Sequence, residues 1–513
     1  MLSIPVITPD QAAAWDAAAV AAGRSLGTLM ETAGRAVARV ILDDHGEEAA
    51  RGVLVACGPG NNGGDGWVTA RALHLLGLGV WVAEVGTSPK GIAAEARRAA
   101  LEDGVATVAA DGPWPAIHLV VDALLGTGAR GAPREPMPAL LARLVALQVP
   151  IVAIDGPTGL DLATGVDHGA NPAATTVTFG GVRRGHLIGR DDAGTIIVAE
   201  IGLPAADPHW PVLIDARWAG RRLAPFAADS HKGNRGRVVV VGGSAGMTGA
   251  ARLAARGAFA AGAGLVHVVA PDDAIGDVAL AEPDVQAFAH PFRGEPSAEL
   301  RALLTRADAV VFGPGFGRDE AGLGFLEAAL ELVERAVVDA DALTLLRGQG
   351  AAVARLSRDR EVVLTPHPGE FRSVFPALAG QLETDPWGAA AAAAREVGAT
   401  VLLKGVPTVV APPVGQLLTV AAGNPGLATG GSGDVLSGII GALLARGTSP
   451  RDAAAIGAQA LGDAADIAAI RHGTRGMRPM QVIEALGDVW PRWAAEPHRP
   501  DRELLRLPRP ETG

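Results

Sequence analysis

Three side chains are set where strand-end loops can aim them. Residues 423–434 read Gly-Asn-Pro-Gly-Leu-Ala-Thr-Gly-Gly-Ser-Gly-Asp, and an apolar run at helical spacing follows through Val435, Leu436, Ile439, Ile440, Leu443 and Leu444. Gly430, Gly431 and Gly433 lack a Cβ, so a phosphate can approach the backbone there. The free N–H groups at the start of the following helix attract anions. Asp434 stands where a catalytic base can meet a phosphoryl group. Lys404 opens Lys-Gly-Val-Pro-Thr after an apolar run, and His367 is fixed between Pro366 and Pro368. Amide donors, a cation and a base are the parts of a phosphoryl-transfer site.

The first half of the chain carries different chemistry. Residues 58–63 match G-x-G-x-x-G between a predicted strand and a predicted helix, with Glu84 further on, the pattern of a dinucleotide-binding turn. Asn62, Asp122 and Thr158 offer a neutral oxygen, a charged oxygen and a hydroxyl with a carbonyl, all at strand ends. Hard oxygen donors with little total charge suit a monovalent cation such as K⁺ better than zinc. The same residue types also stabilise turns and cap helices.

These residues need a scaffold that brings strand ends to one rim. Short apolar runs at 52–57, 80–85, 118–124 and 149–155 alternate with helical patterns, and residues 9–45 read as two helices with Gly23 ending the first. A loop is expected over 58–66, and an edge strand at 194–202 closes the pattern. A second series starts at 237–242 and continues through 265–270, 309–312, 336–339, 361–364 and 400–405, with a hairpin at 408–419. Each series predicts a parallel sheet with helices on both faces, in which ligands bind beyond the carboxyl ends of the strands. The stretch 203–230 holds Pro204, Pro208, Pro211 and Pro225 without a clean period. The expected division is therefore a first domain over 1–215, a linker over 216–230, a second domain over 231–495 and a Pro- and Arg-rich tail, 496–513, expected to fray.

Composition narrows the function classes. At 513 residues the chain is too long for one ordinary core. A net charge of −11 argues against general binding of nucleic acid or anionic membranes. Tyrosine is absent and Cys57 is the single cysteine, which excludes phenol chemistry, an intrachain disulfide and a cysteine-based zinc cluster. The longest apolar stretches are broken by Gly, Asp or Arg and read as buried strands. The N-terminus lacks the charged and apolar regions of a signal peptide, so the cytoplasm is the expected compartment.

The first-half motifs resemble the NAD(P)H-hydrate epimerase family over about residues 5–215. They are Gly58-Pro-Gly-Asn-Asn-Gly-Gly-Asp-Gly, Asp122-Ala-Leu-Leu-Gly-Thr-Gly, Ile154-Asp-Gly-Pro-Thr-Gly-Leu-Asp and Thr176-Val-Thr-Phe. The resemblance implies a Rossmann-like three-layer α/β/α domain. It also implies a substrate site lined by Asn61, Asn62, Gly63, Gly64 and Asp65, by Gly126, Thr127, Gly128, Ala129, Arg130, Gly131 and Ala132, and by Asp155, which is catalytic. Asn62, Asp122 and Thr158 would hold K⁺. Where the family usually has a lysine after the Thr-Val-Thr-Phe motif, this chain has Arg183, which keeps the charge but not an accessible neutral form.

The second-half motifs resemble the ribokinase superfamily, and more narrowly the NAD(P)H-hydrate dehydratases, over about 225–490. They are Ser230-His-Lys-Gly, Gly313-Pro-Gly-Phe-Gly, Asp339-Ala-Asp-Ala-Leu, Thr365-Pro-His-Pro-Gly-Glu, Lys404-Gly-Val-Pro-Thr and the run ending at Asp434. The resemblance implies a ribokinase-like α/β/α domain. Ala250, Gly315, His367 and Asp434 would meet the hydrated substrate, while Lys404, Gly405, Val406, Pro407, Thr408 and Gly433 hold an adenine nucleotide. ADP is the expected phosphoryl donor, with Mg²⁺. Together the halves imply a bifunctional repair enzyme. Its small-molecule substrates would be NADHX and NADPHX, the hydrated dinucleotides, with no nucleic acid or membrane partner, in an expected homo-oligomer. The alternative is a hydroxymethylpyrimidine- or sugar-type kinase carrying a non-catalytic dinucleotide-binding first domain.

Overall fold

Two sheets, each with its own core, position the strand ends. The computed structural model describes residues 4–495 and 504–510. The chain folds as two compact units that divide between Trp210 and Pro211.

In the first unit an eight-stranded sheet runs Leu504–Leu507, Thr195–Ala199, Thr175–Phe179, Ile151–Ile154, Leu119–Ala123, Val53–Cys57, Val80–Glu84, Ala106–Val108. All neighbours are parallel except the first pair. The order of strands reverses between Val53–Cys57 and Leu119–Ala123, which is where ligands of such sheets bind. Both faces are covered. Val53, Val55, Val121 and Ile154 pack with Val37, Ile41, Trp67 and Leu73 on one side, and Leu54 and Val120 pack with Leu140, Leu141 and Leu144 on the other. The Pro9–Ala21 helix starts with proline in its first turn and a reciprocal cap, Thr8 accepting from Gln11 N while Gln11 Oε1 accepts from Thr8 N.

In the second unit the strand order is Gln286–Ala289, Leu265–Ala270, Arg237–Val241, Ala309–Phe312, Arg335–Val338, Glu361–Leu364, Thr400–Leu403, Thr408–Ala411, Leu418–Val420, Val212–Leu213. The strands are parallel through Thr400–Leu403, and Thr408–Ala411 is antiparallel to both of its neighbours. Val238, Val240, Val311 and Val337 face a core shared with the helices Thr248–Ala260, Ser432–Ala445 and Pro450–Gly476. Their alternates Val239, Val310 and Phe312 are equally buried, so this sheet is covered on both faces too. The Pro450–Gly476 helix is long and apolar enough to cross a membrane, but 83% of its apolar window is buried in the unit.

Several expectations need correction. The helix after Val53–Cys57 begins at Asn61, so most of the loop expected over 58–66 is its first turns. Thr195–Ala199 is not an edge strand, because Leu504–Leu507 pairs antiparallel with it and Arg506 forms a two-pronged ion pair with Asp44, 2.6 Å for each bond. That part of the tail is ordered; residues 496–503 and 511–513 lie outside the described residues. Residues 211–215, expected in the first domain, belong to the second unit, where Val212–Leu213 pairs with Leu418–Thr419. The stretch expected as linker, 216–230, opens on the helix Ala216–Gly220, which Asp215 caps by accepting from Trp218 N at 2.8 Å. The strand Gln286–Ala289 has no counterpart in the sequence reading.

Candidate active sites

The first site forms where the first sheet reverses its order. A Cβ on Gly58 would lie 2.0 Å from Leu124 O, one on Gly63 1.9 Å from Gly58 O, and one on Gly66 2.5 Å from the Ala123 side chain. The glycines of the motif thus let strand, turn and helix touch. Glu84, the acidic residue of the dinucleotide pattern, is bound by both prongs of Arg97 at 2.6 and 2.9 Å, so both its oxygens are engaged away from the role that pattern gives it.

Above this junction lies a cavity of about 780 Å³. Asn61, Asn62, Asp65, Gly126, Thr127, Gly128, Ala129, Arg130 and Asp155 line it, as do Arg183 and the apolar Leu26, Leu29, Met30 and Ile92. Gly63 and Gly64 do not reach it, being buried in the helix packing, and Gly131 and Ala132 stand outside the lining. Asp10 and Asp16, which the sequence reading missed, line it as well.

Asp155 follows the strand Ile151–Ile154 in a left-handed backbone conformation, φ 65°, a local strain typical of functional positions. Its Oδ2 accepts hydrogen bonds from Thr127 N at 2.6 Å and from the Thr127 hydroxyl. Its Oδ1 accepts from Thr178 Oγ1 at 3.2 Å and from Arg183 Nη2 at 3.1 Å. Burial pushes this carboxyl up, but Arg183 and Thr127 outweigh it and hold it below the usual range. Arg183 is buried and bonded through all three of its nitrogens, donating also to Thr127 Oγ1 at 3.1 Å, Phe179 O at 3.2 Å and Gly181 O at 2.7 Å. A lysine could not span those acceptors with one ammonium. Beside it His186 is neutral, pushed down to about 4 by burial, with Arg183 and Arg190 opposing the pull of Asp155.

Under the cavity, Asp122 and Thr158 are bonded to each other. Asp122 accepts from Thr158 N and Oγ1, each at 2.8 Å, and from Leu124 N at 3.2 Å. Burial raises its carboxyl despite these donors. Asn62 Oδ1 and Asp155 Oδ2 would lie 2.9 and 3.0 Å from a Cβ on Gly126, and Asn62 Nδ2 is buried without a partner.

The second site lies at the corresponding reversal of the other sheet, between Arg237–Val241 and Ala309–Phe312. A Cβ on Gly242 would meet Pro314 O at 2.1 Å, and one on Gly315, φ 62°, would meet Met247 O at 2.5 Å and the Ala250 side chain at 3.2 Å. Ala250 and Gly315 are thus neighbours. Gly315 O accepts from Ser244 N at 2.7 Å, and Asp341 fixes the loop through Gly317 N at 3.0 Å and Arg318 Nε at 2.8 Å.

Lys404 Nζ donates to Asp339 Oδ1 at 2.8 Å and stands 3.7 Å from Glu370 Oε2. It is also 3.4 Å from where a Cβ on Gly433 would be. The two carboxylates keep the ammonium charged against the opposing effect of burial. Gly405 and Val406 are exposed, and Thr408 Oγ1 donates to Gly405 O at 3.2 Å, closing the turn. His367 caps the Pro368–Val374 helix, its Nδ1 accepting from Gly369 N at 2.9 Å and Glu370 N at 3.3 Å. In the neutral ring this places the proton on the exposed Nε2. The helix after the Gly-rich loop begins at Ser432, so Gly433 and Asp434 lie in its first turn. Neither N–H finds a backbone acceptor, leaving donors for an anion. Asp434 is pushed up to about 7, first by burial and then by Asp339, Asp341 and Glu370, with Lys404 opposing. Asp339 and Glu370 were missed as site residues. A carboxylate three residues after His367, as in a reciprocal cap, was the available signal for Glu370.

Comparison with known proteins matches both units. Residues 238–487 fit the family described as NAD(P)H-hydrate dehydratase, and residues 26–185 fit the YjeF-related protein N-terminus. The bifunctional NAD(P)H-hydrate repair enzyme Nnr of Escherichia coli (strain K12) is 39% identical over 90% of this chain and 89% of its own length. That of Moorella thermoacetica is 38% identical over 89% and 91%. Among solved structures, the ADP/ATP-dependent NAD(P)H-hydrate dehydratase from Bacillus subtilis is 25% identical, covering 54% of this chain and 97% of its own, with a TM-score of 0.47. The near full-length sequence matches favour the repair reading over a small-molecule kinase with a non-catalytic first domain. The chain belongs to the family of bifunctional NAD(P)H-hydrate repair enzymes.

Proposed function

We propose that this chain restores hydrated NADH and NADPH, its first unit interconverting the R and S hydrates and its second dehydrating the S-hydrate at the expense of ADP. The observation that carries the reading is the second-unit constellation: Asp434 and unpaired N–H groups at a helix start, beside Lys404 from a neighbouring strand end. Dihydronicotinamide is an enamine, so water adds at the ring carbon next to nitrogen and leaves a hydroxyl there. The second unit turns this hydroxyl into a better leaving group. Asp434 takes the hydroxyl proton as the phosphoryl group transfers, the N–H groups of Gly433 and Asp434 hold phosphate oxygens, and Lys404 balances their charge. Phosphate then departs and loss of a ring proton restores the double bond. The carboxyl-rich surroundings, with Asp339, Asp341 and Glu370 beside Asp434, suit a nucleotide that arrives with Mg²⁺. No metal-binding group of three or more His, Cys, Asp or Glu side chains occurs among the described residues, so the phosphates would supply most of its ligands, with Asp339 or Glu370 able to add a carboxylate.

In the first unit the donor set of Asn62, Asp122 and Thr158 fits K⁺. Asp122 is a buried carboxylate whose burial is only partly offset by its hydrogen bonds, and Asn62 Oδ1 is turned toward the Gly126 loop beyond the end of the Asp122 strand. A cation there would neutralise Asp122 and fix the Asn62 turn beneath the cavity.

The test uses the full-length chain with separated R and S hydrates, following the returning near-ultraviolet absorbance of the reduced ring. With ADP both hydrates should be recovered completely, and faster than with ATP. Recovery of the S-hydrate alone would remove the epimerase half of the proposal, and no recovery of either would remove the whole.

A further inference from the structure

Epimerisation at a carbon bearing both hydroxyl and ring nitrogen needs a group that moves a proton, and Asp155 is poorly suited to that task. Both its oxygens are occupied by Thr127, Thr178 and the Arg183 guanidinium, which hold it as an anion. Asp10, another carboxylate of the cavity, is paired with Arg130 at 2.9 Å.

Asp16 differs from both. Pro9, Ala12, Ala13 and Asp16 line the cavity at the three- and four-residue spacing of one helix face. The helix that carries them is anchored. Trp15 is buried, donates Nε1–H to Pro204 O at 3.0 Å and meets the Trp210 ring edge-on at 5.2 Å. Ala12 and Ala13 leave room for a ligand beside Asp16. Among the described residues Asp16 has no hydrogen-bond or ion-pair partner, yet it lies within the electrostatic reach of Arg183 and Asp155. Burial, with Asp155 adding to it, keeps the carboxyl above its ordinary value against Arg183. Asp65 also lines the cavity, but Asp16 is the more exposed, with open access to water.

We propose that Asp16 is the proton-transfer residue of the first unit. Its carboxyl protonates the ring hydroxyl, the carbon–oxygen bond breaks, water leaves, and the nitrogen lone pair forms a carbon–nitrogen double bond bearing positive charge. Water then adds to either face, its oxygen bonds to the carbon, the double-bond electrons return to nitrogen, and its extra proton returns to Asp16, directly on one face and through one cavity water on the other. No other reactant is consumed. Asp155, held ionised, stabilises the cationic ring electrostatically.

The assignment rests on the epimerase reading of the first unit, and the experiment separates the two. Full-length wild type, Asp16→Asn and Asp16→Ala are given R-hydrate with ADP, and S-hydrate with ADP reports the second unit in the same samples. For Asp16→Asn, kcat from R-hydrate should fall about a hundredfold or more with KM little changed, and S-hydrate turnover should stay at the wild-type rate. Acetate should raise the R-hydrate rate of Asp16→Ala, which a purely structural role would not allow. An Asp16→Asn rate within about threefold of wild type, where general acid–base help is worth at least a hundredfold, would overturn the assignment. So would an Asp16→Ala rate that acetate leaves unchanged. If wild type itself fails to use R-hydrate while using S-hydrate, the epimerase reading falls instead.

Discussion

Asp434 must lose a proton to act, yet its surroundings favour keeping one. Burial and the neighbouring Asp339 raise it to about 7, far above the 3.8 of a free aspartate. The base form of the free enzyme therefore grows as pH rises through about 7, and kcat/KM for the S-hydrate should rise with it. Stability runs the other way. The native state binds the proton more tightly than the unfolded chain, so the stability linked to this group is full below 3.8 and is lost as pH rises through about 7. Asp434→Asn should abolish turnover while nucleotide titration still shows binding. It should also melt higher than wild type at pH 8, by roughly 2–4 °C for each kcal/mol relieved, with the gap closing on acidification. Retained turnover in this variant would refute the base assignment. Arg183 illustrates the opposite economy of charge: buried, it satisfies its donors on Asp155, Thr127 and two carbonyls, so its strength lies in fixing an anion and not in moving protons.

At the scale of elements, the phosphate-binding helix start is placed by backbone contact between helices. A Cβ on Gly438 would lie 1.9 Å from Ala254 O, and one on Gly257 2.5 Å from Val435 O. The helices Thr248–Ala260 and Ser432–Ala445 can approach this closely only with glycine at both crossings, and this contact sets Gly433 and Asp434 relative to Ala250 in the first turn of the other helix. Gly438→Ala should cost about 1–3 kcal/mol through overpacking. Calorimetry should show a lower transition for the second unit with reduced S-hydrate turnover, while R/S exchange persists. Which parts of this were legible in the sequence follows from how local each signal is. Apolar runs ending in glycine or aspartate marked the strands and their functional ends, because a buried strand and the turn beyond it are both local patterns. The start of the Asn61 helix was not legible, since its buried residues there are glycines with no apolar period. Asp16 was invisible for another reason: an aspartate on an exposed helix face reads as solvated until the fold lays that face along a cavity.

At the scale of the whole chain, the tail is the element sequence reasoning served least well. Leu504–Leu507 is short and flanked by prolines and arginines, and its partner strand lies far back in the sequence, so nothing local announces the pairing. Its backbone bonds cover the outer side of Thr195–Ala199, a strand otherwise left with unpaired N–H and C=O groups that can recruit other chains. The segment that follows the second unit in sequence thereby completes the sheet of the first unit, whose strand ends carry Asp122 and Asp155. Stopping the chain after residue 503 removes this strand and the Arg506–Asp44 pair together. The truncated protein should show a lower melting transition for the first unit and a greater tendency to associate, both read by calorimetry and light scattering. S-hydrate turnover, which depends on side chains between 250 and 434, should be unaffected. Arg506→Ala separates the contributions: an exposed ion pair is worth about 0–1 kcal/mol, so that variant should melt close to wild type if strand pairing is the larger part. A truncated chain with an unchanged first transition would mean that the tail strand adds nothing to the stability of the sheet it completes.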